Sequence, residues 1–191
     1  MSREHHEEAD PAPWHTDWLR HELAVSGPAA EVAAFQAAAL GASAIPWHLD
    51  LDAEEARLLA PMATQGAEAR GLARALRHAV GAHHERVLDQ VRRARVCPLD
   101  LHRLVPVPDA VLRLGPDDPA SERWLRAHWG TLQALRHVRV LDAGEDRRRT
   151  RTARVVVEFH AADWSPWQAL LRLHSDWPRI ALDLRPDYGD A

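Results

Sequence analysis

The stretch from Thr152 to Leu184 constrains this chain more than any other. In Thr152–His160 the side chains alternate. Val155, Val157 and Phe159 point one way and Arg154, Val156, Glu158 and His160 the other, the two-residue period of a half-buried strand. A helix is predicted next. Ser165 suits its cap, Pro166 its first position, where a missing N–H costs nothing, and Gln168 would complete a capping box. Trp167, Leu170, Leu171 and His174 form its expected inner stripe, and Asp176-Trp177-Pro178 ends it. Ile180, Leu182 and Leu184 alternate as a closing strand, beyond which Pro186 to Ala191 trail off. None of these residues forms a catalytic signature.

The rest of the chain supplies what such a segment must pack against. Its 191 residues suggest one domain, or one domain carrying a large insertion. An apolar fraction of 46% and a charged fraction of 27% are those of a globular chain. All 24 basic residues are arginine. With abundant Ala, Leu and Pro this points to the codon bias of a GC-rich genome, so Ala runs argue weakly for helix and Arg runs weakly for binding. A net charge of −4 gives no general pull towards nucleic acid or anionic membrane, although 13 histidines make that charge soft near pH 6. The single Cys97 excludes an intramolecular disulfide and a cysteine-rich zinc site. Met1 to Asp10 is acidic and His-rich, unlike a signal peptide, and no apolar run approaches a membrane span. A cytoplasmic location with no membrane partner is therefore expected.

Residues 1–16 read as a mobile arm, in which His5-His6-Glu7-Glu8 is a solvated tail in preference to a weak metal site. Leu19, His21, Leu23 and Val25 share one side of a predicted strand that Ser26-Gly27-Pro28 ends. Pro28 opens a helix with Val32, Phe35 and Ala39 on one face and Gly41 as its stop. Asp52 with Glu55 predicts a capped short helix to about Ala60. Gln65 to Arg95 is the longest helical pattern, with a break expected near Gly81. Its seam of Leu72, Leu76, Val80, Val87 and Val91 is expected to be core, in preference to a partner-helix surface. The prolines in Leu101-His102-Arg103-Leu104-Val105-Pro106-Val107-Pro108 predict an extended edge or surface loop. Asp118-Pro119 caps a helix holding Trp124, Leu125, His128 and Trp129, with Gly130 as its stop. His137–Leu141 and Thr152–His160 read as a hairpin with a long tip rich in Asp and Arg.

Residues 17–41 and 137–186 thus give strand, helix, strand, strand, helix, strand. That is the split βαβ, or ferredoxin-like, order: an α+β domain with one antiparallel sheet and two helices on one face. Residues 42–136 would be a large, mainly helical insertion within a single domain spanning 17–186. Four pieces of the chain occur in order: Leu23-Ala24-Val25-Ser26-Gly27-Pro28, the Leu101 to Pro108 run, Trp124 through His128-Trp129-Gly130-Thr131, and Phe159 through Trp164-Ser165-Pro166. In order and spacing they resemble the YubB ferredoxin-like family of uncharacterised plasmid- and phage-associated bacterial proteins. The resemblance spans most of residues 19–185. It implies the ferredoxin-like fold and carries no established activity, substrate or catalytic residue. Family members continue the Trp-Gly-Thr piece with Lys-Trp-Asp, whereas this chain has Leu132-Gln133-Ala134, so the contribution of those polar positions is not implied here.

His83-His84-Glu85, with Asp89 or His78 as further ligands, is the densest metal-binding group, but helical neighbours point about 100° apart and do not face one ion. Cys97 lies beside Arg95 with no evident His partner and reads as a packed thiol. Ser165 sits outside any Gly-x-Ser-x-Gly elbow, and its cap role accounts for it. Arg147, Arg148, Arg149 and Arg151 at the hairpin tip are candidate nucleic-acid contacts. Asp142, Glu145 and Asp146 dilute them and an aromatic stacking platform is missing, so a solvated tip is preferred. Trp124, His128, Trp129, Trp164 and Trp167 are candidates for a recognition groove, with Trp164 beside His128, although core closure is the preferred role for the tryptophans. No catalytic residue, metal ligand or cofactor is assigned. The expected function is a non-enzymatic interaction module that meets a protein partner through the insertion helices or the Trp-lined corner. The alternatives are a small metal-dependent hydrolase using His128, His83 or His84, and a nucleic-acid-binding accessory protein using the Arg tip.

Overall fold

The computed structural model describes residues 17–60, 66–141 and 151–188. Its strands are β1 (Trp18–Pro28), β2 (Arg136–Leu141), β3 (Thr152–Ala162) and β4 (Ala181–Asp187). They form one antiparallel sheet in the order β2-β3-β1-β4, which puts the two long strands in the centre. β1 and β3 pair without interruption from Trp18↔Ala162 to Pro28↔Thr152. The alternation read from the sequence holds: His21, Leu23, Val25, Val155, Val157, Phe159 and Ala161 are buried on one face. Helices α1 (Ala29–Ala39) and α7 (Trp167–Asp176) supply Val32, Phe35 and Ala39, and Ala169, Leu170 and Leu173, to the same core. The result is an α+β architecture.

The stretch between α1 and β2 contains α2 (Leu51–Leu59), α3 (Ala67–Arg93), α4 (Leu101–Leu104), α5 (Asp109–Leu112) and α6 (Pro119–His128). It divides into two parts with different packing. From Leu99 onward it belongs to the main core, through Leu99, Leu101, Val107, Leu112, Leu125, Trp129 and Leu135. Asp100 fastens this part: its carboxylate accepts from the backbone N–H groups of Ala42 (2.8 Å), Ser43 (3.1 Å) and His102 (2.9 Å). Gly41 and Cys97 exchange backbone hydrogen bonds across an isolated bridge beside it.

α2 and α3 form the other part and pack chiefly on each other. Here the first part of the expected seam is overturned, while Val87 and Val91 are half-buried. Leu72, Leu76 and Val80 are 57%, 40% and 42% exposed, while α3 buries Ala73, Gly81 and Leu88. Size decides the face: a Cβ at Gly81 would lie 3.0 Å from Leu51 Cδ1, so α2 can approach only where α3 is small. Arg77 adds ion pairs to Asp52 and Glu55 on that side. For the same reason α3 runs unbroken through Gly81.

Local boundaries moved in four other places. β1 continues through Gly27 to Pro28, because a bare glycine lets Arg179 O come close; an added Cβ would be 2.8 Å from it. α2 is capped by Asp50, whose carboxylate accepts from Asp52 N and Ala53 N, one turn-start earlier than the Asp52 box expected. Leu101–Leu104 is a helical turn capped by Asp100, and only the Pro106–Pro108 segment is extended. β2 begins with an irregularity between Arg136 and Arg139, where His137 has φ +50°. The expected cap at Asp118, accepting from Ala120 N at 2.7 Å, is present, and Gly130 follows α6 with φ +86°. Arg147, Arg148 and Arg149, the acidic residues of the hairpin tip and the N-terminal arm lie outside the described residues.

Candidate functional site

The corner where β3 passes into α7 gathers more specific contacts than its sequence suggests. Ser165 was expected to cap α7. Instead Pro166 occupies the cap position, no side chain caps the helix, and the Ser165 hydroxyl lies 2.8 Å from His21 Nε2. The helix starts one residue later than the sequence pattern predicts, because a serine before proline satisfies the capping pattern whichever way its hydroxyl points. His21 Nδ1 is 2.8 Å from Leu19 O and must donate to it, since a carbonyl only accepts. Nε2 is therefore the acceptor and Ser165 Oγ–H the donor. The ring is fully buried and stacks on Phe159, with centroids 5.1 Å apart and planes 10° apart. Burial pushes the imidazole below its usual pKa, against the opposing effect of the Leu19 bond.

Further contacts lock the same corner. Asp163 adopts φ +61°, donates its N–H to Asp17 O at 2.7 Å and accepts from Asp17 N at 3.1 Å, clamping the entry to β1. Thr131 Oγ1 donates to Ala162 O at 2.9 Å. Gly130 leaves room for Gln168 Oε1 and Ser165 O, which a Cβ would strike. Trp129 is fully buried beneath, with its indole N–H donating to Val105 O at 2.8 Å.

The five groove candidates separate on this frame. Trp124 and His128 are together, stacked at 4.5 Å, and line a groove of about 290 Å³ with Leu104, Pro106, Gln168 and Arg172. Trp129 is core. Trp164 is not part of that groove: it is 64% exposed, and Trp167 is 50% exposed. Leu171, one turn beyond Trp167 on α7, is 70% exposed. The expected inner stripe of α7 is thus rotated: Ala169, Leu170 and Leu173 face the core while Trp167, Leu171 and His174 face outward. Core closure claims Trp129 and partly Trp124 and Trp177, and fails for the two tryptophans of the corner.

The face of the sheet away from the core carries a network of charges. Glu158, 3% exposed, receives Arg20 Nε (2.9 Å) and Nη2 (2.6 Å) on one oxygen and Arg139 Nε (2.6 Å) on the other. Arg139, then Arg20, hold its carboxyl below the usual range. Arg20 also pairs with Glu22 and Asp187, and Arg185 with Asp183. The Trp18 ring has the Arg136 guanidinium 4.1 Å from its centroid. Arg151, the one tip arginine among the described residues, is exposed. Cys97 is buried beside Leu99 O and its thiol is pushed up by that burial. Among the described residues no three His, Cys, Asp or Glu side chains converge as a metal site requires, and His83, His84 and His128 are not brought together in one.

Nothing in the sequence singled out the His21–Ser165 bond or the Glu158 network. The one available signal was a histidine and a glutamate at regular positions of apolar strands. Fold and corner together define an α+β domain that presents an aromatic surface beside a charged, internally paired sheet face. No protein-family model, curated protein or solved structure matches the chain.

Proposed function

We propose that this chain is a non-enzymatic interaction module of the split βαβ, ferredoxin-like kind, which binds a protein partner through Trp164, Trp167 and Leu171. The observation that carries this reading is the exposure of two tryptophans and a leucine on one corner whose backbone is held by the Asp163–Asp17 clamp and the Ser165–His21 bond. Large apolar side chains displayed on a fixed frame are what hot spots of protein interfaces are made of. The strand order β2-β3-β1-β4, with α1 and α7 contributing to one core, supports the ferredoxin-like assignment. Three of the pieces resembling the YubB family meet at this corner, through the Trp129–Val105 and Thr131–Ala162 hydrogen bonds and the close approach of Gly130 to Ser165. We extend the proposal to membership of that family and to a cytoplasmic location. Separately, no helix among the described residues is long and apolar enough to cross a membrane.

The test is affinity capture from the native host with the wild-type chain and with a Trp164→Ser/Trp167→Ser variant of matched thermal stability. The expected result is a protein retained by the wild type and lost from the variant. Identical retention by both chains sinks the assignment, and a tightly held metal without a protein partner would favour the hydrolase alternative.

A further inference from the structure

The exposed seam of α3 carries a pattern that fits its own copy. Leu72, Leu76, Ala79 and His83 follow spacings of four, three and four, which place them on one stripe of the helix. All four are exposed, and Val80, beside them, is 42% exposed. Glu68 and Arg86 are eighteen residues apart, five full turns, so they lie on one line along the same flank of that stripe, about 27 Å from each other. Both are exposed and neither has a hydrogen-bond or ion-pair partner among the described residues. Several other charges of α2 and α3 are paired within the chain: Arg77 with Asp52 and Glu55, Arg57 with Glu54, Arg92 and Arg93 with Asp89.

We propose that α3 pairs antiparallel with α3 of a second copy, about a two-fold axis level with Arg77 and His78. In that register each leucine of one stripe meets a smaller or polar residue of the other: Leu76 meets Ala79, and Leu72 meets His83. The symmetry repeats each contact. The same register brings Glu68 to within one residue's rise, about 1.5 Å, of the level of Arg86 on the same flank at both ends, giving two inter-copy ion pairs. A parallel arrangement would instead stack Leu72 on Leu72 and His83 on His83, and would put the flank carrying Glu68 and Arg86 on opposite sides of the two copies, so that neither charge faces its complement. The charges therefore select a second copy in the antiparallel sense, an isologous contact that closes at two chains. α2 packs on another face of α3 at Ala73, Gly81 and Leu88, so among the described residues the seam is left open.

Sedimentation velocity of the full chain, from low to high micromolar concentration, reads the pairing. The wild type is expected to dimerise, and Leu76→Glu to stay monomeric with unchanged helix content, since position 76 makes no core contact. Glu68→Arg, which turns two attractions into two repulsions, should weaken the dimer roughly tenfold. The double variant Glu68→Arg/Arg86→Glu should return it to near the wild-type affinity. A wild type monomeric throughout, a dimer that survives Leu76→Glu, or a charge swap that fails to restore pairing each overturns the proposal.

Discussion

At the residue scale the decisive pair is His21 with Ser165. A histidine on the apolar side of a strand is costly unless both ring nitrogens are engaged, and here a backbone carbonyl and a hydroxyl engage them. Removing the hydroxyl leaves Nε2 buried with no donor. Ser165→Ala is therefore expected to lower the unfolding free energy by about 1–3 kcal/mol. Chemical denaturation reads the change directly, and a loss within experimental error would mean that the bond contributes little. The sequence pattern at Ser165 was ambiguous because capping and tertiary bonding use the same hydroxyl. A partner 144 positions away leaves no local trace.

At the element scale two glycines separate what local pattern can and cannot say. Gly71 is inside exposed α3 with nothing within 4 Å of an added Cβ, whereas Gly130 has φ +86° and a filled Cβ position. Gly71→Ala should stabilise by roughly 0.5–1 kcal/mol through helix propensity. Gly130→Ala should destabilise by at least about 1–2 kcal/mol for the left-handed backbone alone. Urea unfolding of both variants checks the contrast, and equal effects would contradict it. Helix existence was legible for α1, α3, α6 and α7, since each carries a 3.6-residue apolar period. The buried face was not: α3 and α7 both carry enough apolar residues for two stripes, and packing against α2 or the sheet chose the smaller residues in one case and Leu170 and Leu173 in the other.

At the scale of the whole molecule, stability should depend on pH through groups scattered over the fold. Burial lowers the pKa of both His21 and His102. In the unfolded chain each protonates near the ordinary value of about 6.5. As pH falls through that value the unfolded state binds protons that the folded state refuses, so stability drops, and the drop ends below the lowered folded values. Glu158, held low by Arg139 and Arg20, adds a second loss as pH falls below the ordinary carboxylate range, near 4.3. Urea midpoints measured from pH 8 down to pH 5 should therefore decline, with the onset near 6.5. A midpoint that is constant or rises over that interval contradicts the assignment of a buried His21 and a half-buried His102 that both stay neutral.

The sequence by itself determined the alternation of the strands, the apolar periods of the helices and the α+β order, because those depend on spacing along one chain. Tertiary structure alone decided that Leu99–Leu135 joins the core while α2 and α3 pack chiefly on each other. It also decided that Trp129 is buried while Trp164 and Trp167 are displayed. A tryptophan at a helix end reads the same in either role. Which one it takes depends on what stands opposite, here Val105 above Trp129 and no covering element over the corner of α7 among the described residues.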